Sequence, residues 1–297
     1  MKYRTLLKTG LQVSEVGFGC MSLHKNDEAE SIRLMHQALD AGINYFDTAD
    51  IYDGGANEEL VGKALCGHRE KIILATKVGN VIKPGGSKGF NWNPSKEHIL
   101  RSIEGSLKRL RTDRIDIYQL HGGTINDPFD ETIEAFELLK QQGKILHYGI
   151  SSIRPNVIRE YVKRSNIVCV MTQYSLLDRR PEEEVLDLLH ENNIGVIARG
   201  VLAQGLLVNK PPKKYLQHTD QTVNNTRNAL AALTGEKVQN TGAAIGFALH
   251  HKAVTSAVIG FRTSAQLRDA LTPFSLSNEE LAALQTAVPA IRYGEHR

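Results

Sequence analysis

The stretch Ile72-Ile73-Leu74-Ala75-Thr76-Lys77 is a short apolar run that ends on an ionisable side chain. The same pattern occurs twice more in the chain, at residues 43–47 and 115–121. Short apolar runs bounded by polar residues are typical of buried strands in a parallel sheet. Because the carboxyl ends of parallel strands meet at one edge, the polar residues after these runs are predicted to lie together.

The residues at these downstream ends form a set with complementary proton chemistry. They are Asp47, Tyr52, Lys77 and His121. A tyrosine with a pKa of about 10 is a poor general acid at neutral pH, and a nearby ammonium lowers that pKa. Lys77 can supply this charge, Asp47 keeps the amine protonated, and His121 can orient a carbonyl or share the proton. We therefore predict a site for reducing a carbonyl with a hydride from a cofactor.

Strand-like and helix-like segments alternate along most of the chain. Predicted strands lie at 16–19, 43–47, 72–77, 115–120, 146–150, 167–172, 194–198 and 255–259, and predicted helices at 27–41, 57–66, 95–111, 128–142, 155–164, 181–192, 239–251 and 264–272. Eight β/α units predict an α/β fold of the (β/α)8 TIM barrel type. The alternative is an open doubly wound sheet, which normally has fewer strands.

Some segments lie outside this repeat. Residues 3–15 form a predicted N-terminal β-hairpin, and residues 79–97 and 205–235 are predicted long loops at the barrel mouth. A further short helix is predicted at 277–286. No linker divides the chain, so residues 1–297 are interpreted as one barrel domain.

Composition indicates an ordinary globular protein of 297 residues, with 41% hydrophobic and 23% charged residues. The net charge of +3 is too small to indicate nucleic acid or membrane as a partner. Cys20, Cys66 and Cys169 show neither paired nor metal-binding spacing, which favours a reducing cytoplasm and no metal site. A reactive thiol at Cys20 stays open, and a monomer is the default expectation.

The chain resembles the aldo-keto reductase family. Its motifs are matched by Asp47-Thr48-Ala49-Asp50-Ile51-Tyr52, by Ala75-Thr76-Lys77, and by residues 106–110 followed by 116–121. The resemblance covers nearly the whole chain and is strongest to the bacterial and potassium-channel-β-like branches. It implies that Tyr52 is the general acid, that Lys77 and Asp47 tune it, and that His121 positions the carbonyl.

The same resemblance implies NADP(H) as the cofactor. The chain lacks a Rossmann fingerprint, since Gly17-Phe18-Gly19 has no third glycine at the required spacing. The positions that match the family's cofactor site are Gly19, Met21, Asp47, Ser151, Ser152, Gln173, Arg199, Gly200, Leu202, Gln204, Gly205, Lys210, Gly260, Arg262, Thr263 and Gln266. Ser152 and Arg199 depart from the residues that many relatives carry there.

The segment Gly260-Phe261-Arg262-Thr263 has the chemistry of a site for the 2′-phosphate of the cofactor. It offers a guanidinium, a hydroxyl and the N–H groups at the start of a predicted helix. No acidic residue in this segment would repel a phosphate. This composition favours NADP(H) over NAD(H).

Substrate contacts are predicted at Tyr52, His121 and Trp92, with Trp92 as either a pocket wall or an anchor for its loop. The predicted function is reversible reduction of small aldehydes or ketones, with the hydride from NADPH and the proton from Tyr52. Two alternatives stay open. One is an NADP(H)-binding redox sensor with little turnover, and the other is a barrel lyase that forms a Schiff base at Lys77.

Overall fold

The computed structural model describes residues 1–23, 27–83, 89–234, 240–272 and 275–297. Parts of three predicted segments therefore lie outside the described residues, namely 84–88 of the first long loop, residue 235 of the second, and residue 239 of the following helix.

A β-hairpin of β1 (Tyr3–Leu6) and β2 (Leu11–Ser14) precedes a closed barrel. The barrel strands are β3 (Val16–Gly19), β4 (Tyr45–Asp47), β5 (Ile73–Val78), β8 (Ile115–Leu120), β9 (Ile145–Ser151), β10 (Cys169–Gln173), β11 (Gly195–Arg199) and β12 (Val254–Ile259). They pair in parallel around the barrel in chain order, and β12 closes against β3. The predicted (β/α)8 fold is confirmed.

Helices surround the barrel and follow its strands. They are α1 (Glu28–Asp40), α2 (Ala56–Leu65), α3 (Lys96–Leu110), α4 (Phe129–Gln141), α5 (Pro155–Arg164), α6 (Val185–Glu191), α7 (Asp220–Thr234), α8 (Asn240–His250), α9 (Ser264–Ala270) and α10 (Asn278–Ala287). In α3, the Ser95 side chain accepts a hydrogen bond from the His98 N–H at the first turn. Ile99 and Ile103 are buried four residues apart, which places the apolar face of this helix on the barrel.

Both segments that the sequence predicts as long loops contain regular structure. The first includes an antiparallel hairpin of β6 (Asn80–Ile82) and β7 (Phe90–Trp92). Its strands have only three residues each, which is too short for an alternating pattern to be recognised. The second includes the 15-residue helix α7, whose Asn- and Thr-rich first half has low helix propensity. Packing against α8 and α10 stabilises α7 instead.

The predicted helix at 181–192 is also shorter than expected. A 3₁₀ turn covers Arg180–Glu183, and α6 begins only at Val185. Pro181 lies at the start of that turn, where its missing N–H is tolerated. The backbone then leaves the helical region at Glu184.

The N-terminal hairpin covers the amino end of the barrel. Leu6 and Val13 are fully buried and join a cluster with Val168 and Ile197 inside the barrel. Gly195 at the start of β11 permits this contact, because a Cβ there would overlap the Leu6 side chain. The amino end of the barrel is therefore filled with apolar side chains.

Within the described ranges, no helix is both long and apolar enough to span a bilayer.

Candidate functional site at the carboxyl end of the barrel

Three adjacent barrel strands carry the predicted proton-transfer residues. Asp47 ends β4, Lys77 lies near the end of β5, and His121 directly follows β8. Strands β4, β5 and β8 are paired neighbours in parallel register. Tyr52 begins the turn Tyr52–Gly55 between β4 and α2. The structure thus brings all four side chains to one mouth of the barrel.

Lys77 is the buried centre of this group, with 1% of its surface exposed. Its Nζ donates to Asp47 Oδ2 at 2.7 Å and to the carbonyl oxygen of Thr48 at 2.6 Å. Burial alone would lower the pKa of Lys77, but the carboxylate of Asp47 and the nearby Tyr52 raise it overall. The amine therefore stays protonated at neutral pH.

The Tyr52 ring is close to both Lys77 and His121. Lys77 Nζ is 5.2 Å from the centroid of the Tyr52 ring, and the Tyr52 and His121 rings meet edge to face at 5.9 Å. The chain then turns sharply, because Asp53 and Gly54 both have left-handed backbone angles, with φ of 54° and 66°. This turn separates Tyr52 from α2 and directs its ring toward the barrel mouth.

The pKa of Tyr52 differs from the sequence-based expectation. Lys77 does lower it, as expected, but burial raises it by more, so that the net pKa lies above that of a free tyrosine. The expectation covered the effect of Lys77, which is in the expected direction, but did not include desolvation of the phenolate. Tyr52 consequently carries its proton at neutral pH, which is the state that a general acid needs.

His121 is a neutral imidazole in this environment. Burial, followed by the positive charges of Lys77 and Arg199, lowers its pKa to about 3. Its Nδ1 is buried and has no hydrogen-bond partner among the described residues. The ring can therefore donate or accept a hydrogen bond without changing charge between pH 5 and 9.

Trp92 ends the β6–β7 hairpin beside this group. Its Nε1–H donates to Asp127 Oδ1 at 2.9 Å, and its ring lies against the backbone of Gly79 and Gly122. These contacts anchor the hairpin over the exits of β5 and β8, next to His121. Asp127 was not predicted as a site residue, because nothing in its local sequence indicates that it holds a distant tryptophan.

Apart from Asp47, the residues matched to the cofactor site lie on the other strands and loops of the same mouth. Gly19, Ser151, Gln173 and Arg199 end β3, β9, β10 and β11, and Gly260 follows β12. Ser152 is buried beside Ser151, whereas Met21 is 66% exposed. Gly200, Leu202, Gln204, Gly205 and Lys210 lie in the connection after β11, and Arg262 and Thr263 in the connection after β12. Gln266 lies in the first turn of α9.

Hydrogen bonds determine how the Gln173 amide is oriented. Its Nε2 donates to Asp178 Oδ2 at 2.7 Å, and its Oε1 accepts from Arg199 Nη1 at 3.0 Å. Asp178 is fully buried and also accepts two hydrogen bonds from Arg180, each of 2.7 Å. Asp178 is not among the residues predicted from the sequence, because its contact with Gln173 depends on the return of the chain after β10.

The connection after β12 is compact. Thr263 caps α9, its hydroxyl accepting from the Gln266 N–H at 3.3 Å, and Gln266 Oε1 accepts from the Arg262 N–H at 2.8 Å. Arg262 itself is exposed. Gly260 permits close packing with Ser22, because a Cβ at position 260 would overlap the serine side chain.

Cys20 is close to the site but is fully buried. Burial and the carboxylate of Asp47 hold the pKa of its thiol well above its ordinary value. Burial therefore favours the protonated thiol and separates it from solvent.

Known proteins are similar to this chain in both sequence and fold. The model of the aldo/keto reductase family matches residues 15–289. The uncharacterized oxidoreductase YqkF of Bacillus subtilis (strain 168) is 47% identical over 309 residues, and the match covers all of both chains. The holo form of the aldo-keto reductase AKR11C1 from Bacillus halodurans superposes with a TM-score of 0.94 at 48% identity, over 100% of this chain and 99% of that chain.

The apo form of the same Bacillus halodurans enzyme gives a TM-score of 0.86 at 45% identity, with the same coverage. The family model matches nearly the whole chain. These relatives are also nearly half identical to it, and the solved structure has the same fold. The chain belongs to the aldo/keto reductase family.

Proposed function

We propose that this protein is an NADP(H)-dependent aldo-keto reductase that reversibly reduces aldehydes and ketones to alcohols. The observation that carries the proposal is the position of Lys77, whose Nζ is hydrogen-bonded to Asp47 and lies 5.2 Å from the centroid of the Tyr52 ring. A protonated tyrosine beside a fixed ammonium is suited to donate a proton to a developing alkoxide.

Each residue has a distinct part in this reaction. Tyr52 donates the proton, and Lys77 stabilises the phenolate that remains. Asp47 keeps Lys77 charged despite its burial. Neutral His121 offers a ring nitrogen to the substrate oxygen, and its low pKa prevents it from competing as a charged acid. Trp92, fixed by Asp127, forms one wall of the substrate pocket.

The other strands and loops of the mouth fit a nicotinamide dinucleotide, which would supply the hydride. Ser151 and Gln173 offer a hydroxyl and an oriented amide to a carboxamide. Gly200 and Gly205 have φ of 70° and 90°. Glycine adopts such left-handed backbone angles more readily than other residues, so these two positions allow the chain after β11 to turn. Lys210 and Arg262 supply positive charge for phosphates.

Two observations support the binding of a further molecule at this mouth. His121 Nδ1 and Asp47 Oδ1 are buried without partners among the described residues, as expected where a bound molecule completes the site. The fold is also more similar to the holo form than to the apo form of the Bacillus halodurans enzyme, with TM-scores of 0.94 and 0.86.

The central test is Tyr52→Phe. We expect the turnover of NADPH with a panel of aldehydes to fall by a factor of about 10²–10⁴, because the phenylalanine ring has no proton to give. NADPH binding, measured by quenching of protein fluorescence, should be unchanged. Tyr3→Phe, a change of the same kind at an exposed position of the N-terminal hairpin, is the control. Full turnover in Tyr52→Phe would refute the assignment of the acid.

Cofactor preference is tested with Arg262→Ala. We expect the Kd of NADPH to rise about 10- to 100-fold and that of NADH to change little, because charge-assisted hydrogen bonds contribute about 1.5–3 kcal/mol. The control is Arg101→Ala, whose side chain is 74% exposed on α3. Equal losses for both cofactors would contradict a 2′-phosphate site at Arg262.

The geometry gives no support to a Schiff base at Lys77. The amine is 1% exposed, is held by two acceptors and has a raised pKa, whereas a nucleophilic lysine must be neutral and accessible. No observation in the described residues favours a sensor over an enzyme, so the reductase is the function that we propose.

A further inference from the structure

The Gln173 amide is held in one orientation by hydrogen bonds on both of its sides. Its Nε2 donates to Asp178 Oδ2 at 2.7 Å and to the Tyr215 hydroxyl at 3.3 Å. Its Oε1 accepts from Arg199 Nη1 at 3.0 Å. An amide nitrogen has two hydrogens and an amide oxygen has two lone pairs. The nitrogen is therefore used within the protein, whereas the oxygen can accept one further hydrogen bond.

Asp178 maintains this orientation, because a reversed amide would place its oxygen against the Asp178 carboxylate. The carboxylate is itself fixed by Arg180, which donates from Nε to Oδ1 and from Nη2 to Oδ2, each at 2.7 Å. Such a two-point pair fixes the plane of the carboxylate as well as its charge. Asp178 is fully buried, so without this cation it would tend to take up a proton. A protonated Asp178 could donate to a reversed amide.

The segment after α10 (residues 288–297) covers the Arg180 guanidinium. Arg180 Cζ lies 5.1 Å from the centroid of the Tyr293 ring, and Tyr293 is 6% exposed. An aromatic face attracts a guanidinium and shields it from water. The Arg180 side chain is 17% exposed. Its guanidinium is thus held between Asp178 and Tyr293.

The same segment is attached to two connections at the barrel mouth. The Tyr293 N–H donates to Glu183 Oε2 at 3.4 Å, in the 3₁₀ turn that follows β10. The carbonyl oxygen of His296 accepts from the Asn156 N–H at 3.0 Å, in the first turn of α5 after β9. Strands β9 and β10 end with two of the proposed contacts to the carboxamide of the cofactor. The segment after α10 therefore joins the two connections that follow these contacts.

We propose that the segment after α10 positions the nicotinamide of the cofactor, with Tyr293, Arg180 and Asp178 acting in sequence on the Gln173 amide. This inference rests on the cofactor in the proposed function. In the orientation that these residues fix, Gln173 Oε1 accepts a hydrogen bond from the N–H₂ group of the carboxamide. The three positioning residues act through Gln173 alone. Their loss should weaken binding of the nicotinamide and leave binding of the phosphates and adenosine unchanged.

The test measures binding by titration calorimetry, without turnover, for three ligands. NADP⁺ has the complete carboxamide, and its 3-acetylpyridine analogue has a methyl group in place of the N–H₂ group. The third ligand, 2′-phospho-ADP-ribose, lacks the nicotinamide. A residue that acts through Gln173 should affect the affinity for NADP⁺ only. A residue that is needed only for the fold should affect the three affinities equally.

The first variant is Arg180→Lys, which keeps the positive charge but loses the two-point geometry. We expect the Kd of NADP⁺ to rise about three- to tenfold, as the loss of one hydrogen bond implies, and the Kd of the other two ligands to stay unchanged. The matched control is Arg101→Lys on α3, whose side chain is 74% exposed, and it should bind all three ligands as the wild type does.

The second pair of variants tests the aromatic face of Tyr293. Tyr293→Leu removes this face, and we expect the Kd of NADP⁺ to rise about two- to fourfold with no change for the other two ligands. Tyr293→Phe keeps the face and should match the wild type. If Arg180→Lys does not fold, this pair decides the result.

Equal weakening for all three ligands in Arg180→Lys and Tyr293→Leu would show a merely structural role and overturn the proposal. Unchanged binding of NADP⁺ in both variants would overturn it as well. If NADP⁺ binding falls selectively but the wild type reduces no carbonyl compound, only the reductase function is removed. A wild type that binds none of the three ligands would remove both the cofactor and this inference.

Discussion

The two ends of the barrel differ in the side chains that fill them. At the carboxyl end, the charges of Lys77 and Asp47 are 1% and 4% exposed. At the amino end, Leu6 and Val13 are fully buried among other apolar residues under the N-terminal hairpin. These four side chains are all buried, but only the two at the carboxyl end carry charges that water would solvate.

This difference indicates that the amino end contributes mainly to the stability of the fold and the carboxyl end to the proposed chemistry. Taking a charge out of water costs several kcal/mol, and the attraction within a buried pair often does no more than offset that cost. Burial of a leucine, by contrast, contributes about 1.5–3 kcal/mol. The amino end therefore stabilises the barrel. At the carboxyl end, burial of Asp47 and Lys77 costs free energy, and the stability of the rest of the fold offsets that cost. Changes at the two ends should affect different measurements.

The largest expected effect is that of Lys77→Met at the carboxyl end. Without the ammonium, nothing at this position stabilises the Tyr52 phenolate, so kcat for carbonyl reduction should fall by a factor of about 10²–10⁴. Circular dichroism should show an intact fold. Lys144→Met, which removes a partly exposed lysine paired with Glu104, should leave kcat unchanged. If Lys77→Met kept most of the activity, the buried charge at the carboxyl end would not be needed for the reaction, and this result would contradict the proposed difference between the two ends.

The next effect concerns Leu6→Ala at the amino end. Truncation of this buried side chain should lower the free energy of unfolding by about 2–5 kcal/mol, measured by urea denaturation. Activity per folded molecule should not change. Leu7→Ala is the matched control, because its neighbouring side chain is 55% exposed and should contribute about 0.5 kcal/mol or less. Equal destabilisation by both changes would mean that the hairpin does not close the barrel.

The smallest effect is a pH-dependent gain of stability in Asp50→Asn. The folded-state pKa of Asp50 is raised to about 7, so the wild type loses stability as the pH rises from the ordinary aspartate value through 7. Asparagine does not ionise and avoids this loss. The variant should melt roughly 1–4 °C above the wild type at pH 8 and at the same temperature at pH 4. An equal difference at both pH values would show that ionisation is not its cause.

Much of the fold can be predicted from the sequence, because its signals are local. Apolar runs such as Ile115–Leu120 identify barrel strands, and polar residues directly after them identify the functional end. Predicted and observed bounds differ by one or two residues in most elements, as expected where helix ends fray. One exception is α6, which begins at Val185 after a 3₁₀ turn. The others are β6, β7 and α7, whose sequences have no clear periodicity and which form because the barrel provides a surface for them.

The candidate site is only partly predictable for a related reason. Asp47, Tyr52, Lys77 and His121 could be grouped, since each follows or ends a predicted strand of one sheet. Asp127 and Asp178 could not be predicted in this way. Each accepts a hydrogen bond from a side chain elsewhere in the site, Trp92 for Asp127 and Gln173 for Asp178. A hydrogen bond of this kind depends on how loops fold back, and no spacing in the sequence encodes it.

The sequence by itself determined the order of strands and helices, the residue types at the barrel mouth and the family resemblance that connects them. Only the tertiary structure decided their protonation states. Burial raises the pKa of Tyr52 against the effect of Lys77, lowers that of His121 to about 3 and raises that of Asp50 to about 7. The physical reason is that desolvation depends on everything packed around a group, whereas the charge partners alone can be inferred from the order of residues.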